Sequence, residues 1–300
     1  MVATAQMPLP AAIKHLSCTV TLEPGLRIHY YEAGDPAAPP LVLIHGLGDE
    51  ADTWRHVLEP LGATHRVIAL DLPGFGRSSH PRRAYSLGFF ARTVAQLLAG
   101  LGVERATLVG SSLGAAVAQR IALGQPDRVE RLVLIDGGLP VHSGRPPAAL
   151  WWFLAPGVGE LAYTSLRRSQ DEAYATLRPY YADLDGLPED DRAFLRERVW
   201  ARVWSAGQRR AFLSALRWLA VERTLRAREL RARLAGLHVP TLLVWGEHDR
   251  VVARAEGEAL AALLPNARLE LIAGAGHLPQ QERPAEVAAL IQRTNIQGQP

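Results

Sequence analysis

The hydrophobic positions of this 300-residue chain alternate between two spacings. Short apolar runs such as LVLI and TLLVW have the length and continuity of strands that are buried on both faces of a sheet. Longer runs with apolar residues three or four positions apart lie between many of them, as expected for amphipathic helices. The predicted strands are 17–22, 27–32, 41–44, 66–70, 106–109, 131–135, 241–245 and 268–272, and the predicted helices are 52–61, 87–98, 113–122, 254–264 and 284–293. This order predicts an α/β fold whose sheet is largely parallel and flanked by helices.

The alternation is interrupted once, after the strand at 131–135. For roughly 100 residues the spacing predicts helices alone, as at Leu195, Val199 and Val203. The sheet pattern resumes at Thr241. We therefore predict a core domain formed by residues 17–137 and 238–294, an inserted α-helical cap at 138–237, and flexible tails at 1–16 and 295–300.

Composition and charge give no reason to expect a disordered or nucleic-acid-binding protein. Hydrophobic residues make up 48% of the chain and charged residues 21%, which are values typical of a globular protein. The net charge of +3 comes from the helical segment, where 16 arginines in residues 137–236 alternate with 11 acids as on a solvated helix face. Without a binding motif, this pattern gives no reason to expect nucleic acid as a partner.

The sequence also bears on the cellular compartment and on whether the protein holds a disulfide, a metal or a cofactor. No apolar run reaches the length of a membrane span, and no basic stretch followed by an apolar run opens the chain, so we expect a cytoplasmic protein without membrane insertion. The single cysteine, Cys18, excludes a disulfide within the chain and a cysteine-based zinc site. The histidines lack zinc-protease spacing, so we expect neither a metal nor a cofactor. The oligomeric state is left open.

The strongest chemical signal is G-x-S-x-G at residues 110–114, with Ser112 at its centre. It follows a predicted strand and opens a predicted helix. A serine on such a sharp strand–turn–helix connection has its Oγ exposed, and the flanking glycines leave room for the turn. The pattern therefore predicts a nucleophilic serine.

A serine nucleophile needs a general base, and the base needs an acid that orients it. His277 and Asp249 each follow a late predicted strand, where the sites of parallel sheets form. We assign His277 as the base and Asp249 as the acid. Asp136, directly after the strand at 131–135, is the rival acid, and His248 is a weaker rival base.

Two backbone N–H groups are expected to bind the oxyanion of a tetrahedral intermediate. Leu113 follows the nucleophile and supplies one of them. The loop HGLGD at residues 45–49 follows an early strand, and its two glycines allow a close approach to substrate. We assign the second N–H to Leu47.

With these residues in place, the chain resembles the α/β-hydrolase superfamily, in its cap-bearing branch. Residues 71–78 are similar to the family loop D-x-x-G-x-G-x-S, Trp54 matches a frequent family position, and residues 281–284 resemble the start of its last helix. The resemblance covers residues 27–292 and implies a mostly parallel eight-stranded sheet with a helical lid over the site. Relatives that open epoxides or displace halide use Asp at the position of Ser112, which disfavours those activities here.

The resemblance and the serine together imply a carboxylesterase-like hydrolase that acts on a small molecule. Trp151, Trp152, Trp200 and Trp204 are candidates for lining its substrate pocket. A C–C bond hydrolase on the same triad is one alternative, although such relatives often carry Asn where this chain has Ser111. A ligand sensor of this fold with slow turnover is another. The physiological substrate and pathway stay open.

Overall fold

The computed structural model describes residues 8–141 and 151–296. Eight strands form one sheet in the order β1-β2-β4-β3-β5-β6-β7-β8. β1 pairs with β2 and β2 with β4 in antiparallel fashion, and every pair from β4 to β8 is parallel. The strands are β1 Ser17–Glu23, β2 Leu26–Ala33, β3 Pro40–Ile44, β4 Arg66–Leu70, β5 Ala106–Ser111, β6 Val129–Ile135, β7 Thr241–Gly246 and β8 Ala267–Ile272. All eight predicted strands are confirmed within two residues at each end.

Helices cover both faces of the sheet, which explains the continuous apolar runs. In β3, the residues from Leu41 to Ile44 are fully buried, with alternate side chains in two separate core clusters. One cluster includes residues of α2, α3 and α10, and the other includes residues of α1 and α12. The helices are α1 Leu58–Gly62, α2 Leu87–Gly100, α3 Leu113–Gly124, α4 Trp151–Leu154, α5 Val158–Ser165, α6 Gln170–Ala175, α7 Glu189–Trp204, α8 Ala206–Val221, α9 Ala227–Ala235, α10 Arg254–Leu263, α11 Pro279–Glu282 and α12 Pro284–Ile296.

One predicted helix is divided in the structure. The single helix expected over 52–61 is a 3-10 turn, Ala51–Trp54, followed by the short helix α1. Pro60 explains the break, because a continuous helix would need the N–H that proline lacks and would place its ring against the carbonyl of residue 56. When the helix begins at Leu58, Pro60 lies in the first turn, where no N–H partner is needed.

Every secondary-structure element that the structure describes between β6 and β7 is helical, from Trp151 to Ala235, and the longest non-helical stretch among them is 181–188. Its helices α4 to α9 include a π-helical stretch, Glu222–Arg226, between α8 and α9. They have a core cluster of their own that includes Tyr174, Leu195 and Val199. The division of the chain into a core domain and a cap stays a prediction.

Part of the predicted amino-terminal tail, 1–16, has regular structure. Residues 11–16 form a 3-10 helix, Ala11–Leu16, that buries Ile13 in the core. Burial of this apolar side chain accounts for the order of the segment. Residues 1–7 and 297–300 of the predicted tails lie outside the described residues. Among the described helices, none combines the length and the apolar character needed to cross a membrane.

Candidate active site

Ser112 lies on the sharp turn between β5 and α3. Its φ of 54° and ψ of −112° place a non-glycine residue in a rarely occupied region, which the surrounding structure must enforce. The two motif glycines make the turn possible: a Cβ on Gly110 would lie 2.3 Å from the carbonyl carbon of Gly114. Gly137 is equally constrained, because its Cβ would come 2.5 Å from the Cα of Ser112. The strained serine predicted by the motif is therefore present.

Backbone hydrogen bonds outside the regular strand pairing connect the loops that follow the parallel strands. The N–H of Ser112 donates to Ile135 at 2.8 Å, that of Asp136 donates to Val244 at 3.0 Å, and that of His248 donates to Ala275 at 2.8 Å. These bonds join the carboxyl ends of β5, β6 and β7 to the loop after β8. The predicted site residues thus share one edge of the sheet.

His277 and Asp249 form the pair expected from sequence. The Nδ1 of His277 lies 2.8 Å from Oδ2 of Asp249, and both side chains are at most 2% exposed. Oδ1 of Asp249 accepts the N–H groups of Val251 and Val252 at 2.7 and 3.0 Å. The Nε2 of His277 is buried and has no hydrogen-bond partner in the described part of the chain. A protonated Nδ1 would leave this Nε2 as the basic nitrogen.

The two rivals are placed differently. His248 is exposed to solvent. Asp136 is fully buried, and its Oδ1 accepts the N–H of Gly246 at 2.8 Å. Carboxylate and imidazole atoms of Asp136, Asp249 and His277 all lie within 4.8 Å of one another, so their arrangement could also hold a cation. Burial, followed by the charge of Asp249, raises the pKa of Asp136 well above its ordinary value.

The predicted oxyanion loop lies against Ser112, since a Cβ on Gly46 would lie 3.3 Å from the Cβ of Ser112. His45 fixes this loop: its Nδ1 is 2.7 Å from the carbonyl oxygen of Gly46, and its Nε2 accepts the N–H of Leu72 at 2.9 Å. The Gly46 carbonyl belongs to the same peptide as the N–H of Leu47, so His45 orients that donor. Leu113 begins α3, where N–H groups lack partners within the helix.

A sequence profile described as alpha/beta hydrolase fold matches residues 39–284, which is most of the chain. The chain belongs to the α/β-hydrolase family. Membership agrees with the eight-stranded, mostly parallel sheet and supports hydrolase activity.

Relatives of this hydrolase carry several activities. It is 29% identical to epoxide hydrolase 3 of Xenopus tropicalis over 89% of this chain and 74% of the relative. It is 31% identical to a Pseudomonas putida protein named 2-hydroxy-6-oxononadienedioate/2-hydroxy-6-oxononatrienedioate hydrolase 2, over 86% and 87% of the two chains. A solved structure described as a membrane phospholipase A shares 31% identity with a TM-score of 0.71, covering 92% of this chain and 84% of that one.

Sequence analysis missed the buried charges that contact the predicted oxyanion loop and the residues directly after it. Arg202, on α7, places Nη2 2.7 Å from Oδ1 of Asp49 and 3.3 Å from Oε1 of Glu50. Asp71 accepts the N–H of Ala51 at 2.6 Å. Glu50 is fully buried, and desolvation raises its pKa to about 7 although the neighbouring arginines act in the opposite direction. The acids of residues 49–52 are visible in the sequence, but the arginine that meets them lies about 150 positions later.

A cavity of about 240 Å³ borders Ser112. Its apolar wall is largely leucine, and at one side Arg223 and Glu256 form an ion pair at 3.4 Å. The leucines that line it are Leu113, Leu139, Leu154, Leu216, Leu219 and Leu260.

None of the three predicted tryptophans whose side chains the structure describes, Trp152, Trp200 and Trp204, lines this cavity. Trp152 and Trp204 are 67% and 53% exposed, and Trp200 packs edge-on against Trp204. The side chain of Trp151 lies outside the described residues. Trp245 of β7, which the sequence analysis did not single out, lines the cavity instead. Helical spacing could not have distinguished exposed tryptophans from cavity-lining ones. It shows which residues share a face of a helix but not what packs against that face.

Proposed function

We propose that this protein is a carboxylesterase-like serine hydrolase that cleaves esters of small to medium apolar substrates. Ser112 attacks the ester carbonyl, and Nε2 of His277 takes its proton. Asp249 holds the imidazole in the required tautomer and stabilises its charged form. Water activated by His277 then releases the acyl group from Ser112. Two observations support the proposal, the strained turn at Ser112 after β5 and the buried His277–Asp249 pair in the loops after β8 and β7.

The oxyanion is bound in this proposal by the N–H groups of Leu47 and Leu113. Both donors belong to backbone that is already held in place, one by His45 and the other by the start of α3. Donors that are fixed before the reaction need no reorganisation when charge develops on the carbonyl oxygen. They account for stabilisation of the tetrahedral intermediate without a metal or cofactor.

The leucine-lined cavity beside Ser112 supports an apolar acyl or alkyl group. Each methylene transferred from water into such a cavity contributes about 0.8 kcal/mol, or nearly a fourfold gain in binding, until the cavity is full. We therefore expect kcat/KM for nitrophenyl esters to rise with acyl length, reach a maximum at short to medium chains, and then fall. Equal rates for all chain lengths would contradict this assignment.

The decisive test is Ser112→Ala in the purified protein. We expect a loss of turnover on the order of 10⁴ to 10⁶, because removal of a triad member disables the unit. Ser111→Ala is a matched control: this neighbouring serine is buried and its Oγ lies 3.3 Å from Nε2 of Gln280, outside the triad. A fluorophosphonate should label wild type and Ser111→Ala but not Ser112→Ala. Persistent ester cleavage by Ser112→Ala, with contamination excluded, would show the mechanism to be wrong.

A C–C bond hydrolase is the second candidate, and similarity to the Pseudomonas putida protein favours it. The same triad would act on a ring-cleavage product in place of an ester. Rapid loss of the yellow dienolate colour of such a product, together with negligible ester cleavage, would select this activity. Slow turnover of every compound combined with a ligand-dependent rise in Tm would instead indicate a sensor.

A further inference from the structure

Two buried carboxyl groups lie close to each other and to the imidazole of His277. Asp136, at the end of β6, is fully buried, and the side chain of Asp249, in the loop after β7, is 0% exposed. One carboxylate oxygen of each aspartate and one imidazole nitrogen lie within 4.8 Å of one another. Two adjacent carboxylates in the protein interior repel strongly, and a single imidazolium could neutralise only one of them. The site therefore requires a further positive charge or a proton.

The hydrogen-bond donors distinguish the two groups. Asp249 receives the N–H groups of Val251 and Val252 on Oδ1 and has His277 on Oδ2. Asp136 receives only the N–H of Gly246, on Oδ1, and its Oδ2 has no partner among the described residues. Donors stabilise the charged form of a carboxyl group. The hydrogen-bond donors therefore favour a negative charge on Asp249 rather than on Asp136.

We propose that Asp136 carries a proton on Oδ2 and donates it in a hydrogen bond to Asp249, as a positioning residue of the triad. This inference rests on the proposed function of Asp249. The O–H of Asp136 fixes the Asp249 carboxylate while leaving one negative charge to face His277. In a water-excluded site, such a charge-assisted hydrogen bond is stronger than one between neutral groups.

The surroundings of Asp136 support this assignment. The charged groups that face it are Asp249, His277 and Glu282, and its burial, followed by its acidic neighbours, raises the pKa of Asp136. Its φ of 48° is an uncommon backbone conformation that aspartate and asparagine tolerate better than most residues. Rare conformations that the surrounding structure maintains are found preferentially at functional positions.

A cation is the alternative source of positive charge, but the donors argue against it. Both oxygens of Asp249 and Oδ1 of Asp136 already face N–H groups, and Nδ1 of His277 faces Asp249. Among these groups, Oδ2 of Asp136 and Nε2 of His277 are the ligand atoms without a hydrogen-bond partner in the described residues, and Nε2 lies on the side of the imidazole away from Asp249. A bound divalent cation needs several such ligands, whereas a proton needs one donor and one acceptor.

Asp136→Asn tests the proposal, because the amide is neutral, donates an N–H to Asp249 and keeps an oxygen for Gly246. We expect kcat/KM within about threefold of wild type and an unchanged acidic limb of its pH profile. If Asp136 were ionised, its loss would remove a negative charge within 4.8 Å of the imidazole, and the acidic limb would move by about one to two pH units to lower pH. Such a move would overturn the proposal.

Asp136→Ala removes the donor, and we expect kcat to fall at least about tenfold with little change in KM. If kcat fell equally in Asp136→Asn, an amide N–H would not be able to replace the proposed O–H of Asp136. That result would contradict the proposal. Alanine is poorly suited to a positive φ, so the result is interpreted only for folded protein.

A second measurement does not depend on catalysis. The infrared difference spectrum of wild type minus Asp136→Asn at neutral pH should contain the carbonyl band of a protonated carboxyl group, and a carboxylate band alone would overturn the proposal. This readout keeps the proposal testable if no ester is cleaved. Stoichiometric metal in the purified protein, with activity lost on chelation and restored by that metal, would assign the charge to a cation and equally overturn it.

Discussion

Replacement of Asp249 by asparagine should disable the base while changing no atom of His277. Oδ1 of Asp249 accepts the N–H groups of Val251 and Val252, so the amide oxygen of an asparagine must take that position. Its NH₂ group then faces Nδ1 of His277, 2.8 Å away in the wild type. Nδ1 would have to accept this hydrogen bond, which places the imidazole proton on Nε2. An imidazole protonated at Nε2 cannot take the proton of Ser112.

The expected cost is a loss of kcat on the order of 10⁴, or about 5.5 kcal/mol of transition-state stabilisation, from the wrong tautomer alone. The assay is steady-state hydrolysis of a short nitrophenyl ester, with folding checked by circular dichroism. Asp136→Asn is the matched control, since it makes the same chemical change within 4.8 Å of the same groups. A loss of less than about tenfold in Asp249→Asn, or a larger loss in Asp136→Asn, would refute the reasoning and move the triad acid to β6.

Three further predictions follow from the residues around the nucleophile. His45→Phe should lower kcat on the order of 10² with KM nearly unchanged, because the Leu47 donor is no longer oriented, and steady-state kinetics measures both constants. The pKa of Glu50 is raised from 4.5 to about 7, so the neutral carboxyl group favours the folded state. Its contribution to the free energy of unfolding is complete below pH 4.5 and is lost as pH rises through 7. Relative to Glu50→Gln, urea unfolding should therefore show the wild type losing about 2 to 3 kcal/mol between pH 5 and 8, and a constant difference would contradict this. Leu219→Trp should shift the ester optimum to shorter chains by filling the cavity, whereas Trp204→Ala should leave it in place.

Much of the site could be predicted because its elements are encoded locally. The turn at Ser112 needs two glycines at fixed distances from the serine, and that requirement is visible in five consecutive letters. Asp249 and His277 follow strands whose apolar runs mark them as central, so a parallel sheet places both at one edge. In the structure Nδ1 of His277 lies 2.8 Å from Oδ2 of Asp249, as expected from their positions after these predicted strands.

The sequence by itself determined the strands, the order of the chemistry along the chain and the existence of a helical segment after β6, because periodicity and turn chemistry act over a few residues. Only the tertiary structure decided which groups meet across long distances in sequence. It placed Arg202 against Asp49 of the predicted oxyanion loop, Asp136 near Asp249, and Leu219 on the cavity that Ser112 borders, while Trp204 is exposed. Burial and charge pairing depend on how whole helices pack, and packing is a property of the assembled fold rather than of any local pattern.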